Sequence, residues 1–221
     1  MYWIFILLSF PLLGALIYFG AVIAPEMSRS RAAQKAAGGI RQFVDPDRDY
    51  REAAQKLEIS PTPHNMCVLA EICVKRNAFT EAISLYRQAL TGLNADAPDI
   101  LASLAGAYFL VQDYTETLAT LDRLRDKNPD YQSTDAHLVY ARSLEELGRD
   151  DEALEEYAAL VHYFRGEEAR YRYAMLLKEL GRRTEADRIL KEVSDRTRLA
   201  PAHYAKAQRE WIESARVELR R

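Results

Sequence analysis

Two cysteines, four histidines and several runs of carboxylates are the side chains of this 221-residue sequence that could do chemistry. Cys67 and Cys73 stand six residues apart, which on one helix is roughly 9 Å along the axis, too far for a disulfide. Two unpaired thiols suit a reducing compartment. His64, His137, His162 and His203 are scattered, and none lies three to five residues from another, so zinc-ligand spacing is missing. Glu145-Glu146 and Asp150-Asp151-Glu152 are rich in carboxylates, but such runs ordinarily form solvated helix faces and helix starts. No glycine loop of either common phosphate-cradling type occurs. No catalytic residue, metal site or cofactor is therefore expected, and the sequence reads as a binding protein. A net charge of −3 argues against bulk nucleic-acid binding.

That charge is unevenly spread. Residues 2–24, YWIFILLSFPLLGALIYFGAVIA, carry none. As a helix they would reach roughly 34 Å, enough for a hydrocarbon core of ~30 Å. Trp3 at one end and Tyr18 and Phe19 toward the other suit the two interfaces, Pro11 would kink the helix, and Gly14 would allow close helix contact. A cleaved signal peptide is the competing reading, but no basic residue precedes the apolar run and Pro25 would follow the cut. Arg29, Arg31, Lys35 and Arg41 all lie on the C-terminal side, so the rest of the chain is expected in the cytoplasm, at a bacterial inner membrane. The segment resembles the second transmembrane helix of the cardiolipin synthase N-terminal family in its Trp3, its Pro11-Leu12-Leu13-Gly14 and its Tyr18-Phe19. That family normally has another membrane helix before this one. Its catalysis does not carry over, because no histidine here is followed by lysine two residues on, as phospholipase D chemistry requires.

Behind this anchor (1–24), residues 25–62 form a basic juxtamembrane linker in which Asp49–Glu58 is predicted to be a short helix over the first repeat. From Pro63 the chain repeats itself. Units starting at Pro63, Pro98, Thr134 and Glu167 are 35, 36 and 33 residues apart. Their eighth residues are Ala70, Ala105, Ala141 and Ala174, and their twentieth are Ala82, Thr117, Ala153 and Ala186. Tyr86, Leu121, Tyr157 and Leu190 recur at position 24, and Asn77, Gln112, Gly148 and Gly181 fall at the turn between paired helices. The pattern resembles the tetratricopeptide-repeat (TPR) family. It implies an all-α fold: helix-turn-helix units 63–97, 98–133, 134–166 and 167–199 stacked as a superhelix, with 200–221 as a capping helix behind one transmembrane helix. Position 4, often Trp in that family, is Met66, Leu101, His137 and Arg170 here.

The resemblance also implies a function, the binding of protein partners on the face built from the first helices. Phe109, Leu110, Leu138, Tyr171 and Met175 are the expected apolar floor for a helix or extended segment, unless some of them pack against the cap. Arg142 is expected to grip a carboxylate or to pair with Glu145 or Glu146. Cys67 and Glu71 stand where chaperone-binding TPRs carry Lys and Asn, so that clamp is absent. The expectation is a membrane-anchored scaffold. An accessory subunit of an envelope-lipid enzyme and a periplasmic chaperone-like protein remain as alternatives.

Overall fold

The structure, a computed structural model, describes residue 45 and residues 47–220. The expected anchor over 2–24, with Trp3, Pro11, Gly14 and Tyr18, lies outside the described residues. Among the described residues no helix is long and apolar enough to cross a membrane. The chain divides into two compact units, Met1–Gln55 and Lys56–Arg221. The division falls inside the first described helix, α1 (Arg48–Ile59).

All regular structure among the described residues is helical. Helical hairpins follow one another: α2 (Pro63–Lys75) with α3 (Phe79–Ala89), α4 (Pro98–Leu110) with α5 (Tyr114–Lys127), α6 (Thr134–Glu146) with α7 (Asp150–Tyr163), and α8 (Glu168–Glu179) with α9 (Arg183–Leu199). Where one capping helix is expected, two occur: α10 (Ala202–Ala207) and α11 (Arg209–Glu218), broken at Gln208. The two helices of each hairpin pack on one another, the second helix of each of the first three hairpins packs on the first helix of the next, and α11 packs on α8 and α9.

The hairpins close because small residues sit where helices touch. Ala70, Ala82, Ala105, Thr117, Ala141, Ala153, Ala174 and Ala186, the eighth and twentieth positions of the four repeats, are all fully buried. Thr117 is the polar exception, and its hydroxyl is satisfied by donating to the Asp113 carbonyl at 2.8 Å. Large residues fill the remaining space: Tyr157 is completely buried with Leu138, Leu144 and Leu160, and Leu190 with Leu177, Val193 and Ile212.

The turn inside each hairpin is the same motif four times. Asn77, Gln112, Gly148 and Gly181 all take left-handed backbone angles, with φ of 60°, 62°, 68° and 79°. In each, the residue's N–H bonds back to the carbonyl three before it, and the following N–H to the carbonyl five before that, as from Gln112 to Phe109 and Asp113 to Tyr108, both at 3.0 Å. These pairs satisfy two carbonyls of the ending helix. Helix starts are fixed as well. Thr62, Asp113 and Ser133 accept from the N–H groups of Asn65, Glu116 and Ala136 at 3.1–3.2 Å, and Pro63 and Pro98 stand at first helical positions, where a missing N–H costs nothing.

The odd residues at position 4 are accommodated by polar partners. His137 bonds Glu156 through Nε2 at 2.5 Å and the Tyr163 hydroxyl through Nδ1. Arg170 is almost wholly buried and donates to the Val161 and Gly166 carbonyls at 2.5 and 3.2 Å.

Gln112 holds a conformation that glycine adopts without the Cβ penalty. Gln112→Gly is therefore expected to stabilise the chain by about 0.5–1 kcal/mol, read as a raised denaturation midpoint, whereas Gly148→Ala lowers it by a similar amount.

Candidate functional face

The first helices α4, α6 and α8 present a row of aromatic rings and charges that runs from one hairpin to the next. Tyr114 stands edge-on to Phe109, with ring centroids 5.5 Å apart. The Arg142 guanidinium lies 4.6 Å over the Phe109 ring, and its Nη1 is 3.3 Å from Glu168 Oε1. That same oxygen accepts from Arg172 Nε at 2.9 Å. Arg172 in turn lies 5.5 Å over Trp211 of the cap, and Trp211 packs on Tyr171 at 5.6 Å. One carboxylate thus joins two arginines, each backed by an aromatic face that favours a cation.

Of the residues expected in a partner groove, Phe109 and Arg142 are brought into direct contact. Leu110 is open to solvent, 47% exposed. Gly106, one turn before it, adds to the opening: a Cβ built there would meet nothing within 4 Å. Leu138 points into the core of the third hairpin instead of lining a floor, because its neighbours Leu118, Leu144 and Tyr157 close around it. Tyr171 is taken up by Trp211, and Lys178 on the same helix by Glu218 at 2.7 Å, so the cap engages the fourth hairpin's first helix at both of these positions. Met175 is half-buried. Arg142 does not pair with Glu145 or Glu146 in this arrangement; its ion-pair partner, Glu168, comes from the next repeat. Its Nε is buried and unpartnered.

Glu145 has another use. It accepts a hydrogen bond from the buried Tyr157 hydroxyl. Burial pushes its carboxyl above the usual range, and the Tyr157 bond and the Arg172 charge only partly offset this. Cys73 is fully buried, and burial, with Glu81 adding to it, lifts its thiol to about 11, so it stays an inert core residue. Cys67 is half-buried; both thiols are free. Among the described residues no group of three or more His, Cys, Asp or Glu could hold a metal ion.

Sequence reasoning passed over Glu168 and Arg172 as a linked pair, and over an edge of exposed apolar residues. Val111, Leu147 and Leu180, 40%, 41% and 42% exposed, occupy the fourteenth position of three successive repeats, at the ends of α4, α6 and α8. Their recurrence at one repeat position outside the core set is a signal present in the sequence.

The paired helices, recurrent small contacts and left-handed turns define a tetratricopeptide-repeat fold, and residues 168–196, α8 with most of α9, match the family model described as Tetratricopeptide repeat. No curated protein matches the chain significantly. Among solved structures, MamA is similar at 19% identity and a TM-score of 0.59, over 68% of this chain and 89% of that one. MamA 41-end from Desulfovibrio magneticus RS-1 superposes with a TM-score of 0.66 at 9% identity, over 76% and 95%. YrrB, described as a TPR protein with an unusual peptide-binding site, matches at 20% identity and a TM-score of 0.57, over 72% and 81%.

A raised carboxyl makes ionised Glu145 a cost in the folded state that is absent below the ordinary glutamate range and grows as pH rises through and above it. Glu145→Gln keeps an acceptor for Tyr157. It is expected to raise the melting temperature at pH 7, with the difference shrinking toward zero as pH is lowered below the usual carboxylate range in paired thermal melts.

Proposed function

We propose that the chain is a protein-interaction scaffold, tethered to a bacterial inner membrane by residues 2–24 and presenting its repeats to the cytoplasm. The observation that carries the binding half is the uncovered face around Gly106, Phe109, Leu110 and Arg142. An apolar side chain and an aromatic-backed guanidinium stand there beside open space, while the equivalent part of the last hairpin is occupied by the cap. Such a face suits a helix or extended segment with an apolar anchor and a nearby carboxylate for Arg142. The peptide-binding site in the description of YrrB favours the same use of a similar fold. The anchoring half rests on the uncharged run 2–24 and the basic residues after it. Its likeness to a cardiolipin synthase membrane helix favours a second reading, in which the partner is an envelope-lipid enzyme met through the anchor.

Pulldown of the full chain in mild detergent tests the binding face. Leu110→Asp is expected to lower partner recovery tenfold or more, while Lys191→Asp, on the exposed side of α9, leaves it unchanged. Equal recovery with both variants would remove the face from consideration, and recovery of a lipid synthase that crosslinks through residues 2–24 would favour the second reading. In sealed inverted inner-membrane vesicles, added protease should cut the repeats; protection would place them on the periplasmic side.

A further inference from the structure

Away from the first-helix face, the junction of the third hairpin, the fourth and the cap holds a cavity of about 420 Å³. Its lining is cationic in a protein whose net charge is −3. Arg165 comes from the loop between α7 and α8, Arg170 from the start of α8, Arg196 from near the end of α9, and His162 from the last turn of α7. Phe164 and Tyr204 complete much of the wall.

Among the described residues, one carboxylate touches two of the three arginines, Arg170 and Arg196. Glu167 is fully buried; its Oε1 accepts the Tyr204 hydroxyl at 2.7 Å and lies 3.7 Å from Arg196 Nε, and its Oε2 is 3.6 Å from Arg170 Nη1. Glu167 is itself locked in place, because its N–H donates to the Gln208 side chain at 2.9 Å. Glu167 thereby offsets part of the arginines' charge, and the charge of Glu192 also acts on Arg170.

The arginines divide the work. Arg170 spends its donors on the Val161 and Gly166 carbonyls, so it contributes charge to the cavity but few free hydrogen bonds. Burial lowers its proton affinity, and the neighbouring charge of Arg196 lowers it further, as crowded cations do. Arg196 has a side chain more than half exposed and, among the described residues, only the long contact to Glu167. Arg165 is exposed, and its backbone carbonyl shares the Tyr204 hydroxyl proton with Glu167, at 3.0 Å against 2.7 Å. Two guanidiniums with free donors therefore flank a positively charged recess whose walls are partly aromatic.

We propose that this recess is a binding site for a phosphate-type anion, gripped by Arg165 and Arg196 over the fixed charge of Arg170. Guanidinium forks match phosphate oxygens in geometry, and two of them on separate elements can engage different oxygens of one group. The positive lining suits the negative charge of such a group, and the volume leaves room for the organic part of a phosphate monoester or a phosphodiester headgroup. A soluble phosphate compound and an anionic lipid headgroup share this chemistry.

Calorimetric titration of the full chain in neutral detergent tests the site, with two probes: inorganic pyrophosphate, and dihexanoylphosphatidylglycerol below its micelle concentration. Saturable binding of either probe is expected, weakened at least tenfold by Arg165→Gln and by Arg196→Gln and unchanged by Arg87→Gln, an exposed arginine of α3 in the first hairpin. Binding of pyrophosphate alone assigns a soluble phosphate source, and binding of the lipid alone a headgroup. Absence of saturable binding by both probes, or binding that Arg165→Gln and Arg196→Gln leave intact in chains with wild-type circular dichroism, would overturn the proposal.

Discussion

Close approach of two helices at an alanine is the contact on which the rest of this structure depends. At positions 8 and 20 of each repeat the side chain is small and wholly buried, so neighbouring backbones come near enough for the larger residues beside them to interlock. A larger side chain there would force the helices apart and strain every contact that follows along the stack. The left-handed turn is the other half of the same constraint. It reverses the chain within a few residues and returns α3, α5, α7 and α9 to the alanine face of the helix before each. No hairpin buries its own apolar surface, so each relies on the next, and the last relies on α11, whose Ile212 and Ala215 complete the final cluster.

The polar features follow from that packing. Because first helices are stacked side by side, residues from successive repeats meet: Phe109 of α4, Arg142 of α6 and Glu168 of α8 form a continuous row. Where the regular pattern fails, polar partners restore the balance. Arg170 stands at a position that apolar residues fill in the first two repeats, and it remains buried because the Val161 carbonyl at the end of α7 and the Gly166 carbonyl in the loop after it accept its hydrogen bonds. The same substitution brings a third arginine to the cationic recess. The departure from the repeat consensus and this basic cavity are therefore the same piece of structure.

Much of the fold was legible because repetition multiplies a weak signal. One alanine or one left-handed turn says little, but alanine at position 8 in four repeats, with Gly148 and Gly181 aligned to Asn77 and Gln112, specifies hairpins in register. The binding face was only partly legible. Position numbers placed Leu138 and Tyr171 on an exposed floor, yet Leu138 is enclosed by its own hairpin and Tyr171 by Trp211. Helical periodicity gives the side of a helix, whereas exposure also depends on what the neighbouring element covers.

Local sequence determined the helix starts, the turns and the small contact positions, because caps, left-handed residues and alanine spacing act within one hairpin. Tertiary structure alone decided that Arg142 pairs with Glu168 rather than with Glu145 or Glu146. It also decided that the Gln208 side chain, at the break in the cap, accepts the Glu167 N–H, and that Arg165 and Arg196 face one cavity. Those pairs are brought together by the stacking angle between hairpins, a sum of many side-chain volumes that no single repeat encodes.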